Sequence, residues 1–157
     1  MALSASFPVR RWILRLLASV FAACSLHAAP TMNVPAGIDH AAWTTLLERY
    51  VDERGFVDYA GWHASEEDVA SLDRYLAQFA RDAADRADRA AGDAEIAALI
   101  NAYNAFTIRW ILENFPTESI RKTEDQWSAK RWAVGGEKVS LDEIEHENLR
   151  PLHGWRV

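Results

Sequence analysis

Cysteine is almost absent from this sequence: one residue, Cys24, occurs in 157, and it lies within the first thirty. A chain that loses this segment therefore keeps no disulfide and no thiol nucleophile. The sequence also contains no glycine-rich phosphate loop and no Gly-x-Ser-x-Gly elbow, so two common signals of nucleotide binding and of hydrolases are missing. Its apolar run between 16 and 26 is far shorter than the roughly 20 residues that span a bilayer.

The first 29 residues have the pattern of a secretory signal peptide. A basic stretch precedes the apolar run, and small residues at Ala28 and Ala29 follow it, an order typical of cleaved export signals. The basic residues are Arg10, Arg11 and Arg15. We therefore expect an exported protein, periplasmic or extracellular, that has no stable membrane span after cleavage.

Two variants of this export signal are weighed against ordinary cleavage. The run 10–15 approximates a twin-arginine motif, although Val9 stands where Ser or Thr is usual. The run 21–24 is a poor lipoprotein box because Phe21 replaces an aliphatic residue. Ordinary cleavage is therefore preferred over a lipid anchor at Cys24.

The charge of the chain is acidic. It carries 17 Lys and Arg against 23 Asp and Glu, a net charge of −6, and loss of three signal-peptide arginines gives −6 − 3 = −9. Such a charge argues against nucleic acid or an anionic membrane as the main partner. An unidentified small molecule or protein remains as the expected partner.

A long helix from Glu95 to Phe115 is the strongest secondary-structure signal. The run contains no Gly or Pro, ends before Pro116 and is apolar around most of its circumference, which predicts the buried centre of the core. Helical spacing predicts one exposed arc, formed by Glu95, Ala98, Ala102, Arg109 and Glu113. Two asparagines, Asn101 and Asn104, are therefore predicted to be buried.

The remaining patterns predict a mainly α-helical α+β domain. A linker at 30–38 precedes helices starting near Asp39 and Ser65, a short strand at 56–59 and a solvated helix or mobile connector at 80–94. Gly135 and Gly136 predict a small β-hairpin over 132–139. Ser140 and Glu143 form a capping box for a last helix. A single domain over 39–157 is expected.

Four polar residues are the weak site candidates. Asn101 and Asn104 either hold neighbouring backbone or orient a substrate. Glu145 faces the core side of the last helix, where it either pairs with an arginine or takes part in catalysis, and His146 is its neighbour. No metal-ligand pattern and no calcium loop stands out, and no cofactor is expected.

The central run Ile100-Asn101-Ala102-Tyr103-Asn104-Ala105 resembles the signature helix of the domain of unknown function 547 family. Three further stretches agree with that family in order and spacing: 55–59, 115–120 and 140–150. Leu99 departs from the pattern, since Trp is usual there. Together the matches cover the chain from about Trp43 to its end.

The resemblance implies a function only in outline. Family members continue into a His-Phe segment and a Cys-containing stretch, so the domain here is expected to be incomplete. A binding or interaction domain, or a family member without its reactive residues, is the first interpretation. The alternative is a hydrolase or acyl-transfer enzyme whose nucleophile and base lie in a missing carboxy-terminal part. As it stands, the chain is not expected to be an active enzyme.

Overall fold

The central helix, α4, runs from Asp93 to Glu113 in a computed structural model that describes residues 32–153. The predicted signal peptide, 1–29, and Cys24 lie outside the described residues. The prediction of a long, core-forming helix is confirmed. Its buried positions are Ala98, Leu99, Ala102, Ala105, Phe106, Ile108 and Leu112.

The predicted exposed arc of α4 is wrong at its two alanines, although Glu113 is exposed as predicted. Ala98 and Ala102 are 2% and 0% exposed, and the solvent face instead carries Ala97, Ile100 and Asn104. Small side chains let neighbouring elements approach the helix closely, so the alanines became the interior face. The helical spacing places these alanines on the same side as the charged residues. Alanine is too weakly hydrophobic to mark that side as buried in the sequence.

Three amino-terminal helices pack against one another through aromatic rings. They are α1 (Ala41–Tyr50), α2 (Tyr59–Ala64) and α3 (Glu66–Ala77). The ring of Tyr50 stacks on Trp62 at 4.7 Å between centroids, and Trp43 stacks on Tyr75 at 5.6 Å. Each of these rings is at most 9% exposed. Aromatic burial therefore supplies much of the contact between these helices.

Asp68 joins α1 to the start of α3. Its carboxylate accepts hydrogen bonds from Tyr50 Oη at 2.6 Å, Arg49 Nη1 at 2.6 and 2.8 Å and Ser65 Oγ at 3.0 Å. The Ser65 hydroxyl in turn accepts from the Asp68 amide, which confirms the predicted helix start. These bonds lower the pKa of Asp68, chiefly through Tyr50.

The predicted strand at 56–59 is largely wrong. Only an isolated bridge between Val57 and Val51 forms, and Tyr59 already belongs to α2. Asp58 explains the change, because its carboxylate accepts from the Gly61 amide at 2.9 Å and caps that helix.

The described part of the segment predicted to be a linker, 32–38, packs instead into the fold. Val34 is 1% exposed, and its carbonyl accepts from the Ala90 amide at 2.8 Å. The connector 80–92 contains a short 3₁₀ turn, Arg86–Asp88, and not a longer helix. The folded unit thus begins before Asp39.

The carboxy-terminal part contains the predicted hairpin. Strands β1 (Trp132–Val134) and β2 (Glu137–Val139) pair antiparallel through a Gly135-Gly136 turn with φ of 60° and 84°. The expected fold class, α+β and mainly helical with one small hairpin, is therefore confirmed. Between residues 32 and 153, no helix combines the length and apolarity needed to cross a bilayer.

A π-helix, Glu143–Leu149, follows the hairpin and leads into α5 (Arg150–His153). The predicted capping box begins it: the Ser140 amide donates to Glu143 Oε2 at 2.8 Å, and Ser140 Oγ accepts from the Glu143 amide at 3.1 Å. Asn148 is 1% exposed; its side chain donates to the Glu143 carbonyl and accepts from the Met32 amide. The wider helical turn is thus fixed at both ends by side chains.

Candidate functional site

Glu145 lies between the π-helix and α4, where it is bound by two donors. Arg150 Nη2 and Nε donate to its Oε1 at 2.6 and 3.2 Å, and Tyr103 Oη donates to Oε2 at 3.1 Å. Arg150, followed by the Tyr103 bond, lowers the pKa of Glu145, although partial burial opposes this. Burial and the charge of Glu145 raise the pKa of Tyr103 to about 12. Glu145 is therefore an ionised carboxylate that can accept a proton but has none to donate at neutral pH.

His146 stands beside this pair without a close contact to it. Its Nδ1 is 3.9 Å from Glu145 Oε1, and its Nε2 is 3.9 Å from Asp142 Oδ1. Both distances exceed hydrogen-bond length, and about half of the His146 side chain is exposed. Within residues 32–153, no three His, Cys, Asp or Glu side chains converge as metal ligands would.

Asn101 belongs to a second polar cluster on another flank of α4. Its Nδ2 lies 3.3 Å from His40 Nδ1, which also lies 2.8 Å from the hydroxyl of Tyr75. Tyr75 is 1% exposed, and burial raises its pKa. Both contacts are made by the same ring nitrogen, so Nε2 of His40 takes no part in them.

Asn104 corrects the prediction of two buried asparagines. It is exposed, and its Nδ2 donates to the carbonyl of Ile100 one turn earlier on the same helix, at 3.0 Å. Asn101 is only half-buried. The two amides thus have different surroundings, and no hydrogen bond among the described residues connects either of them to Glu145.

The polar clusters contain residues that the sequence did not single out. Tyr103 stands inside the signature run, but its bond to Glu145 spans 42 positions. His40 and Asn101 are 61 positions apart. The only available signal was the density of polar residues in the run 101–104.

A groove lies between α2, α3 and α4. Its volume is about 510 Å3, and its apolar lining includes Val69, Ala70 and Leu112. Its charged or titratable lining residues are His63, Glu66, Asp73, Arg109 and Glu113. It thus combines an apolar floor with charged walls.

A second cavity of about 230 Å3 continues the groove towards the hairpin. It shares Asp73, Arg109 and Glu113 with the first, so these three side chains lie at the junction. Its other lining residues are Leu76, Ala80, Phe106, Arg131, Trp132, Ala133 and Lys138. We call the two joined cavities the α3–α4 groove.

An ion-pair cluster holds the junction. Arg109 Nε donates to Asp73 Oδ1 at 2.6 Å, and Arg109 Nη1 lies 3.6 Å from Glu113 Oε2. Both carboxylates are about half exposed, whereas the Arg109 side chain is 24% exposed. The Arg109 charge is therefore compensated within the protein, and one carboxylate charge remains in excess.

These features define a small, mainly helical α+β domain with an open charged groove. Residues 88–155, somewhat less than half of the chain, match the family model described as "Protein of unknown function, DUF547". This match confirms the resemblance that the signature run indicated. No curated protein and no solved structure matches the chain.

Proposed function

We propose that this protein is an exported binding domain whose ligand lies in the α3–α4 groove. The observation that carries the proposal is the groove itself. Its larger cavity, about 510 Å3, falls within the range of ligand pockets, and such pockets combine apolar lining with a few polar groups. Three helices from different parts of the chain form it, so it is a feature of the folded protein.

The hydrogen bonds and positions of the four catalytic candidates also support a binding function over a catalytic one. Glu145 is engaged by Arg150 and Tyr103, and Asn104 bonds its own helix. Among the described residues, the four candidates do not meet in one place. An active site needs its nucleophile, base and orienting group within hydrogen-bond reach of one another.

The groove is tested by filling it with a side chain. Ala70 is exposed and lines the groove, so Ala70→Trp should obstruct the groove without entering the core. Ala97→Trp is the matched control, because Ala97 is an exposed helix residue outside the groove lining.

The measurement is calorimetric titration of the full chain with a panel of amino acids, linear amines, dicarboxylates and unblocked pentapeptides. The parent and the Ala97→Trp control should bind at least one of these probes, and the Ala70→Trp variant should lose that binding. Equal binding by all three proteins, or no binding to any probe, would refute a role for the groove.

Export is the second part of the proposal, and the basic, apolar and small-residue order of the first 29 residues supports it. Protein recovered from the periplasm of an expressing bacterium should begin after Ala28 or Ala29 by mass spectrometry. Protein that stays in the cytoplasm with Met1 or Ala2 at its start would contradict export.

The second candidate function is hydrolysis or acyl transfer, and the His40 cluster favours it. Asn101 and Tyr75 contact His40 through Nδ1, and the tautomer that donates from Nδ1 to the Tyr75 hydroxyl leaves Nε2 unprotonated, as a general base requires. His40→Gln should then abolish hydrolysis of nitrophenyl esters by the full chain. Hydrolysis that the variant retains, or that the parent lacks, would count against this candidate.

A further inference from the structure

We propose that the ligand of the α3–α4 groove is a short linear peptide with two free ends, its amino group near α2 and its carboxylate near the hairpin. This inference rests on the proposed binding function and adds the chemical class of the ligand. It comes from the order of charges along the groove and from the length of the groove.

The end of the groove near α2 is acidic. Glu66 is exposed there, and no cation lies within ion-pair distance of it among the described residues. Next to this end, at the junction of the two cavities, Glu113 shares Arg109 with Asp73, and its contact with Arg109 is the longer one, 3.6 Å against 2.6 Å. An ammonium group at this end would meet carboxylates whose charge the protein only partly compensates.

The end near the hairpin has the opposite character. Arg131 and Lys138 line it, and within the described chain neither lies within 4.0 Å of a carboxylate oxygen.

The Arg131 guanidinium is held rigidly at this end. Its carbon lies 3.6 Å from the centroid of the Trp110 ring, and its Nη2 donates to the carbonyl of Asp125 at 2.9 Å. Among the described residues, Lys138 Nζ donates only to the Arg131 carbonyl, at 3.4 Å. Two cations without a carboxylate partner favour an anionic group at this end.

The length of the groove sets the length of the peptide. The lining residues follow α3 from Glu66 to Leu76, which is about 15 Å at roughly 1.5 Å of rise per residue. An extended peptide rises about 3.3 Å per residue. About four or five residues therefore fit between the acidic end and the basic end. The apolar floor would accept the side chains of such a peptide.

The test compares four forms of the pentapeptide Ala-Leu-Ala-Leu-Ala: unblocked, amino-acetylated, carboxyl-amidated and blocked at both ends. Binding to the full chain is measured by calorimetry at low salt. The unblocked form should bind best, and each block should weaken binding about two- to five-fold, the usual effect of one solvent-exposed ion pair.

Two charge variants assign the ends. Lys138→Gln should reduce the effect of amidation, since Arg131 alone then remains at that end, and keep that of acetylation, whereas Glu66→Gln should reduce the effect of acetylation and keep that of amidation. Lys122→Gln is the control, since Lys122 pairs with Glu118 outside the groove and should change neither effect.

The outcomes separate the inference from the proposed function. Equal binding of all four peptides, or charge variants that do not alter the blocking effects, would overturn the peptide orientation and leave the groove as a binding site. If no pentapeptide binds while another probe binds in an Ala70-dependent way, the peptide class is wrong and the binding function stands. If binding of every probe is insensitive to Ala70→Trp, both fail.

Discussion

Replacing Asp68 with Asn should destabilise the fold by about 2–3 kcal/mol. The carboxylate is 9% exposed and receives the Tyr50 hydroxyl at 2.6 Å, besides bonds from Arg49 and Ser65. A hydrogen bond to a charged group contributes about 1.5–3 kcal/mol, against about 0.5–1.5 kcal/mol for a neutral one. The NH2 group of the new Asn would also face hydrogen-bond donors, to which it cannot bond. At least one of the present hydrogen bonds is therefore lost altogether.

The measurement is urea unfolding of the parent and the variant at pH 7. Asp73→Asn is the matched control on the same helix, because Asp73 is about half exposed and, within residues 32–153, pairs only with Arg109. A surface ion pair of this kind contributes at most about 1 kcal/mol. The Asp68 variant should therefore lose clearly more stability than the Asp73 variant.

The pH dependence gives an independent check. Tyr50 and the other donors lower the folded-state pKa of Asp68 below the unfolded value of about 3.9. The stabilisation is therefore complete above that unfolded value and is lost as pH falls through the lower folded pKa. The difference in free energy of unfolding between the parent and the Asn variant should be constant from about pH 5 to 7. It should become smaller below about pH 4. A variant as stable as the parent at pH 7, or a difference that becomes larger in acid, would refute the reasoning.

Three further predictions concern the carboxy-terminal part. Gly135→Ala should cost at least about 2 kcal/mol in thermal unfolding, because φ is 60° and a Cβ would overlap the Asn33 carbonyl oxygen; unchanged stability would contradict this packing. Arg150→Met should raise the pKa of Glu145, since Arg150 is the main cause of its lowering; an NMR titration that shows no rise would contradict the pairing. Asn148→Ala should cost about 1–3 kcal/mol, because it leaves the buried Met32 amide without its side-chain acceptor; chemical unfolding measures this, and a loss below about 1 kcal/mol would contradict it.

The sequence predicted those elements that local signals define. The central helix ends within two residues of the predicted ends because Gly92 and Pro116 bracket a long run without breakers. The hairpin over 132–139 was predicted in full, because two consecutive glycines specify its turn. Capping at Ser65 and at Ser140 depends on residues three apart and was equally readable.

Features that depend on tertiary contacts were not readable. The face of α4 that is buried was mispredicted, since close packing at Ala98 and Ala102 is decided by the neighbouring helices. Tyr103, which bonds Glu145, lies 42 positions from it in the chain, and His40 lies 61 positions from Asn101. Of the two interpretations of Glu145, the structure shows the ion pair to an arginine.

The groove was also beyond the sequence, because its lining comes from α2, α3, α4 and the hairpin. The sequence around Glu66 or Lys138 contains no motif that would indicate a binding site. Only their arrangement at opposite ends of one concavity suggests a ligand, and that arrangement is a property of the fold.

The most direct test of the account is to map peptide binding on the protein by NMR. The full chain, labelled with 15N, is titrated with unblocked Ala-Leu-Ala-Leu-Ala, and the amide shifts are followed residue by residue. The account predicts shifts that concentrate along the α3–α4 groove, at Glu66, Ala70, Arg109 and Lys138, and spare the exposed face at Ala97. Shifts that lie away from the groove, or a spectrum that the peptide leaves unchanged at millimolar concentration, would contradict it.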